Sequence, residues 1–253
     1  MVDYFTNSLG MIFTRINAGK FHMGSQSDEK TSRNNERPVR ECSVKSFFIG
    51  IHPVTQNQYF QLTNNNPSYF SEEGKGKEYI EGLSTSNFPV ESVSWEEAVI
   101  FCRKLSSIPK EKLNHRYYRL PTEIEWEYAC RGGRMTPFNT GDTFTSYDGN
   151  INGNYPYNSE KIGPTLNRTC EVGSYPPNSF GIHDMHGNVW EWCYNEYSTY
   201  GSFKTKGQKA RVLRGGSWNC YSRFCRSSYR CIAEEDVHYY DYGFRIVCEI
   251  DCI

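Results

Sequence analysis

The stretch HDMHGNVWEW, residues 183–192, sets two carboxylates, Asp184 and Glu191, around a glycine and ends on two indoles. Hard carboxylate oxygens in a turned, glycine-containing loop, with backbone carbonyls to complete the shell, suit Ca²⁺ at about six to eight coordination. A purely structural role for Glu191, as a hydrogen-bond acceptor, is the alternative, and the residues leave both open. His183 and His186 would share one face for a transition metal only on a helix, and Gly187 argues against a helix. They read as loop histidines. Trp190 and Trp192, with Trp218 further on, read as buried scaffold, because large aromatics carry most of their value in packing.

Working outward, three helices announce themselves by capping boxes. Thr55 stands three residues before Gln58, Ser94 before Glu97 and Thr122 before Glu125. In each pair the hydroxyl can cap the third helical amide while the longer side chain returns to the cap amide. Pro121 and Gly132 bracket the third helix. Ala98, Phe101, Cys102 and Leu105 repeat at helical spacing and mark one buried face of the second. The segment MIFTRINAGKFHMG, residues 11–24, alternates like a strand pair turning at Asn17-Ala18-Gly19. Short strands are expected again at RVLRGG and GFRIVCEI. From about Pro137 to Phe180 the chain is rich in Asn, Gly, Tyr, Pro and Ser without periodicity. Irregular chain of that length inside a compact domain points to metal-stabilised or functional loops. The fold class is α+β, one domain over residues 1–253 with few regular elements and long loops.

Composition bounds the function. With 253 residues the chain can bury a substantial core, and with net charge −1 and no Lys/Arg cluster nucleic acid is not an expected partner. No apolar run reaches the roughly 18–20 residues needed to span a bilayer. The N-terminal residues lack the pattern of a secretory signal. A cytoplasmic protein is therefore expected, or a secreted or cell-surface one whose signal or lipid anchor lies outside this sequence. The ten cysteines, Cys42, Cys102, Cys130, Cys170, Cys193, Cys220, Cys225, Cys231, Cys248 and Cys252, are too sparse for a disulfide scaffold and form no CxxC. Cys102 and Cys130 read as buried thiols within helices. The 19 Tyr, 15 Phe and 5 Trp of this hydrophilic chain suit both an irregular core and a contact surface.

Several segments resemble one family in order along the chain: MIFTRINAGKFHMGS, FPVESVSWEEAVIFCRKL, YRLPTEIEWEYACRGG, YPPNSFGIHDMHGNVWEW, RVLRGGSW and YGFRIV. They are similar to the formylglycine-generating enzyme, or sulfatase-modifying factor, family, over about Met11 to Val247. The resemblance implies an elaborated C-type-lectin-like fold. It implies calcium ligands at Asp184 and Glu191 through their side chains, and at Gly187 and Val189 through their carbonyls. A second family calcium site would use Asn150, Ile151 and a later Asp, where Pro164 stands here. Members of the family differ in function. Some are copper-dependent oxidases that convert a sulfatase cysteine to formylglycine. Others are variable proteins of diversity-generating retroelements, whose C-terminal lectin-type surface is diversified.

RGGSWNCYSRFCRSSYR, residues 214–230, separates these alternatives. On the oxidase reading Cys220 and Cys225, at the family spacing after Gly215-Gly216-Ser217, would hold Cu(I), which soft thiolates suit, and Ser217 would help position substrate. The neighbours depart from that pattern: Arg223-Phe224 precedes Cys225, where the oxidases have Ser-Tyr. CRSSYR instead resembles a segment in which that cysteine is framework. Residues 219–242 hold five Tyr and three Cys but no Lys, Gln or Met. Adenine-directed mutation of an AAC codon gives such a composition; Glu234 and Glu235 lie outside it and read as framework. The favoured reading is a non-enzymatic binder whose variable face comprises Cys220, Tyr221, Phe224, Tyr229, Cys231, His238, Tyr239, Tyr240 and Tyr242, taking a protein or glycan ligand on another cell.

Overall fold

A computed structural model describes residues 3–198 and 210–250; Cys252 lies outside them. The capping boxes set three of its four α-helices. Helix α1 (Gln56–Thr63) is capped by Thr55, α2 (Trp95–Ser106) by Ser94 and α4 (Glu123–Arg131) by Thr122, each box closed in both directions. Helix α3 (Pro109–Leu113) is a single short turn opened by a proline, with no cap in its sequence to announce it. Gly132 ends α4 in the left-handed conformation. The buried residues of α2 are Ala98, Phe101, Cys102 and Leu105, the face its periodicity marks.

Eleven strands are described: β1 (Tyr4–Thr6), β2 (Ile12–Ile16), β3 (Gly19–Met23), β4 (Arg40–Val44), β5 (Phe47–Gly50), β6 (Arg116–Arg119), β7 (Trp190–Glu196), β8 (Ala210–Arg214), β9 (Cys231–Glu234), β10 (Tyr242–Gly243) and β11 (Val247–Ile250). They form a five-stranded sheet in the order β1-β2-β5-β11-β6, a four-stranded sheet in the order β10-β7-β8-β9, and the pair β3-β4. All pairings are antiparallel except β10 with β7. The expected hairpin across Asn17-Ala18-Gly19 is corrected here. Both strands exist, but β2 is flanked by β1 and β5 on its two edges, so no ladder remains for β3, which pairs with β4 instead. A strand has only two hydrogen-bonding edges. The expected GFRIVCEI strand is broken: Gly243 ends β10, residues 244–246 are irregular, and Val247–Ile250 form β11.

Between α4 and β7 the chain runs without helix or strand, joined only by isolated bridges at Phe138–Gly141 and Phe144–Tyr157. This segment carries its own small core of Phe138, Phe144, Ile151 and Tyr157, which also encloses Cys225. Trp192 packs in the main core with Val93, Phe101, Leu213 and Phe244, and its indole N–H donates to the Val93 carbonyl at 2.8 Å. Among the described residues no helix is long and apolar enough to cross a membrane.

One ion pair joins these parts. Glu191 on β7 accepts from Arg245 Nε at 2.7 Å and Nη2 at 2.8 Å, both side chains being fully buried. The same guanidinium donates to the Gly50 carbonyl at 2.9 Å and the His183 carbonyl at 2.8 Å, while Trp126 of α4 donates to Glu191 at 2.6 Å. Removing one partner of a buried pair strands the other charge, at a cost of about 3–5 kcal/mol. Glu191→Gln and Arg245→Met are each expected to lower the free energy of unfolding by about that amount in urea titrations. The double variant is expected to lose clearly less than the two singles combined, since they share one interaction.

Candidate ligand-binding face and thiol pair

The stretch 214–230 turns from β8 into the thiol pair through two left-handed glycines, Gly215 (φ +92°) and Gly216 (φ +76°). A Cβ on Gly216 would overlap the Cys225 sulfur, so only glycine lets the chain pass over that thiol. Cys225 is wholly buried. Its carbonyl accepts from His186 Nδ1 at 2.7 Å, and the Asn139 amide donates to His186 Nε2 at 3.0 Å. Burial drives the His186 pKa down to about 4, so this ring is neutral and acts as a fixed strut. The two histidines of HDMH are thus structural: His183 Nδ1 bonds the Tyr175 carbonyl at 2.8 Å.

Cys220 packs against Cys225, and the neighbouring thiol, with Ser217, lowers the Cys220 pKa against its burial. Burial, reinforced by the neighbouring Cys220, holds the Cys225 thiol well above its ordinary value. Ser217 Oγ lies 3.4 Å from the Cys220 sulfur and donates to Asp241 Oδ2 at 2.7 Å. The sequence reading brought Cys220, Cys225 and Ser217 together; Asp241 is added by the fold.

Most of the remaining predicted contacts fall in two clusters of rings, beside two separate clefts. In one, Tyr155 stacks on Tyr221 (centroids 3.6 Å apart), Tyr221 on Phe224 (5.8 Å), and Phe224 meets Tyr229 (5.2 Å). In the other, Tyr239 touches Tyr240 (5.0 Å) and Tyr242 (5.4 Å), and Tyr240 meets Tyr69 (5.6 Å) and Trp218 (5.8 Å). Cys220, Tyr221, Phe224, Cys231, Tyr240 and Tyr242 are half-buried; His238 and Tyr239 are exposed, Tyr239 by 51%. His238 Nε2 lies 2.9 Å from Glu97. Tyr229 corrects the expected list. Only 6% exposed, it is a core residue wedged against Trp190 and covered by Arg33, whose guanidinium lies 4.8 Å from its ring. Trp190, Trp192 and Trp218 form the buried scaffold beneath. Tyr69, Tyr155 and Arg33 were not foreseen, because they reach the face from loops far away in sequence and carry no local motif.

Of the four residues that the resemblance assigns to calcium, two carry side-chain ligands. Asp184 Oδ2 accepts from the Gly173 amide at 2.7 Å, while its buried Oδ1 has no partner among the described residues. Both oxygens of Glu191 are engaged by Arg245. A Cβ on Gly187 would overlap the Asn150 carbonyl, so the loop closes only with glycine there. Asp184 Oδ1 is thus the one expected side-chain oxygen left without a partner among the described residues; the Gly187 carbonyl accepts the Val189 amide at 3.0 Å, and the Glu191 charge is balanced by Arg245.

The matching family model, described as a sulfatase-modifying factor enzyme 1-like domain, spans residues 7–250, and the chain belongs to this family. The formylglycine-generating enzyme of Mus musculus is 31% identical over 86% of this chain and 68% of its own length. A Bos taurus relative named as an inactive Cα-formylglycine-generating enzyme 2 is 29% identical over 81% of this chain and 75% of its own. The fold is C-type-lectin-like, of the formylglycine-generating-enzyme type. It superposes on Treponema denticola variable protein 1 with a TM-score of 0.73, covering 98% of this chain and 99% of that one at 24% identity. Relatives named active and inactive match almost equally well, so membership leaves activity to the local site.

The thiols make a direct prediction. Cys220, half-buried with a lowered pKa, is expected to alkylate with iodoacetamide well before Cys225 and before Cys231, whose pKa burial pushes up to about 11. Peptide mass mapping over a time course checks the order.

Proposed function

We propose that the protein is a non-enzymatic binder that presents two clusters of aromatic side chains, one around Tyr155 and Tyr221 and one around Tyr239 and Tyr240, to a ligand outside the chain. The observation that carries this reading is the exposure of these rings over a buried frame: Tyr240 and Tyr242 lie against the buried Trp218 and Trp192, so the ring identities can change while the frame holds. Rigid aromatics offer contact area at small entropic cost. Such anchors dominate binding energy when they sit at the centre of a contact. In the native setting the partner is a protein or glycan on another cell surface.

The contact between the Cys220 and Cys225 thiols favours a second reading, a copper-dependent oxidase acting on a sulfatase cysteine. Two soft sulfurs side by side would hold Cu(I), which would supply the oxidising chemistry. Against it stand the Arg223-Phe224 departure and the enclosure of Cys225, which disfavours its thiolate. One set of measurements separates the two. Screened against immobilised glycans and peptides, the chain is expected to retain ligands, with Tyr221→Ala and Tyr239→Ala each weakening retention about tenfold at unchanged melting temperature. The oxidase reading prevails if the chain binds one Cu(I) and converts cysteine in a sulfatase-type peptide, with loss of turnover in Cys220→Ser.

Calcium belongs to the same proposal as a structural ion held by Asp184 and the carbonyls of Gly187 and Val189. Saturating Ca²⁺ is expected to raise the melting temperature and chelation to reverse the rise, because a ligand selective for the native state stabilises it. Asp184→Asn should abolish the shift. No shift in the parent protein removes calcium from the account.

A further inference from the structure

At the Tyr221 end, the face opens into a cleft of about 480 Å³ between residues 154–159 and the turn at 221–223. Lys30, Tyr155, Tyr157, Asn158, Tyr221 and Arg223 are among its lining residues, and no lining residue is acidic. The charge is one-sided for a structural reason. Two acids of the neighbouring loop, Glu29 and Glu36, turn inward onto buried Arg226; Glu36 makes two 2.8 Å bonds to it, and Glu29 pairs with the same guanidinium. Asp28 and Glu160 stay exposed nearby but do not line the cleft. Arg223 lies over the rings of Tyr221 (5.1 Å) and Phe224 (4.6 Å), and Arg33 over those of Phe224 (5.6 Å) and Tyr229 (4.8 Å). Among the described residues neither arginine, nor Lys30, has a carboxylate partner.

The walls also exclude one kind of ligand contact. Several backbone amides around the cleft are spent internally: Asn152 on the Cys220 carbonyl, Tyr155 on Asn152, Ser222 on Tyr155 and Tyr157 on Phe144. None of the lining residues belongs to a strand, so the cleft offers side chains rather than a strand edge to a ligand. Those side chains are the exposed Tyr155 ring stacked on Tyr221, amide and hydroxyl groups at the rim, and guanidinium charge held over the rings. Stacked on rings, a guanidinium keeps N–H groups in its plane for bidentate bonds to an oxyanion.

We propose that this cleft binds an acidic saccharide, a sugar ring bearing a carboxylate or sulfate, with the ring against Tyr155 and the anion on Arg223 and Lys30. The proposal rests on the binder reading and names the ligand class for one end of its face.

Calorimetric titration of the full chain tests it with four probes: a sulfated disaccharide, its desulfated counterpart, inorganic sulfate and an oligoglutamate peptide. The sulfated sugar is expected to bind at least about tenfold tighter than the other three, and to weaken as salt rises. Arg223→Gln and Tyr155→Ala, both surface changes, should each lose about tenfold, Arg223→Lys less, and Tyr239→Ala at the far end little. Equal binding of the desulfated sugar or of sulfate alone overturns the proposal, as does preference for the peptide or no binding of any probe. If a neutral sugar or the peptide binds and is lost in Tyr221→Ala or Tyr239→Ala, the acidic-saccharide assignment falls while the binder reading stands. Copper-dependent turnover of a sulfatase-type peptide brings down both.

Discussion

The Glu191–Arg245 pair is the interaction on which the rest of the molecule hangs. It lies where β7 of the four-stranded sheet, the end of β5, the 183–191 loop and α4 converge, and every hydrogen-bonding direction it uses ends on one of them. Burying two charges is costly in itself, so such a pair contributes less net stability than its Coulomb energy suggests. What it contributes here is register: a displacement of either sheet would leave a charge unpaired in the core. That fixed geometry lets a domain with few regular elements hold long loops in place.

The same economy of charge shapes the surface. Glu123, Glu127, Glu29 and Glu36 are drawn inward onto Arg230, Arg131, Arg214 and Arg226. The interior thus draws in Glu29 and Glu36 near the 221 end of the face, while Arg223 and Arg33 beside it lie over rings. A polar core and a cationic, aromatic cleft are two consequences of one distribution of carboxylates.

The thiol pair shows how a family motif can persist while its surroundings change. Gly216 makes room for Cys225, His186 and the Phe138–Phe144 cluster enclose it, and Cys220 alone reaches towards solvent. Family relatives include one named as inactive, so the choice between oxidase and binder falls to the residues around this thiol pair.

By itself the sequence determined the local features: three capping boxes, the buried stripe of α2, the glycine stop of α4, the tryptophan scaffold and the spacing of Cys220, Cys225 and Ser217. Each depends on residues within a few positions of one another, where backbone geometry leaves little choice. Only the tertiary structure decided which strands pair, because both edges of β2 were claimed by β1 and β5 rather than by its neighbour β3. It also decided that Glu191 faces Arg245, that Tyr229 is core and that Tyr69, Tyr155 and Arg33 join the face. These are contacts between residues far apart along the chain, and no periodicity records them. Side-chain identity tells what a residue can do; which charge or ring it meets is settled only by packing.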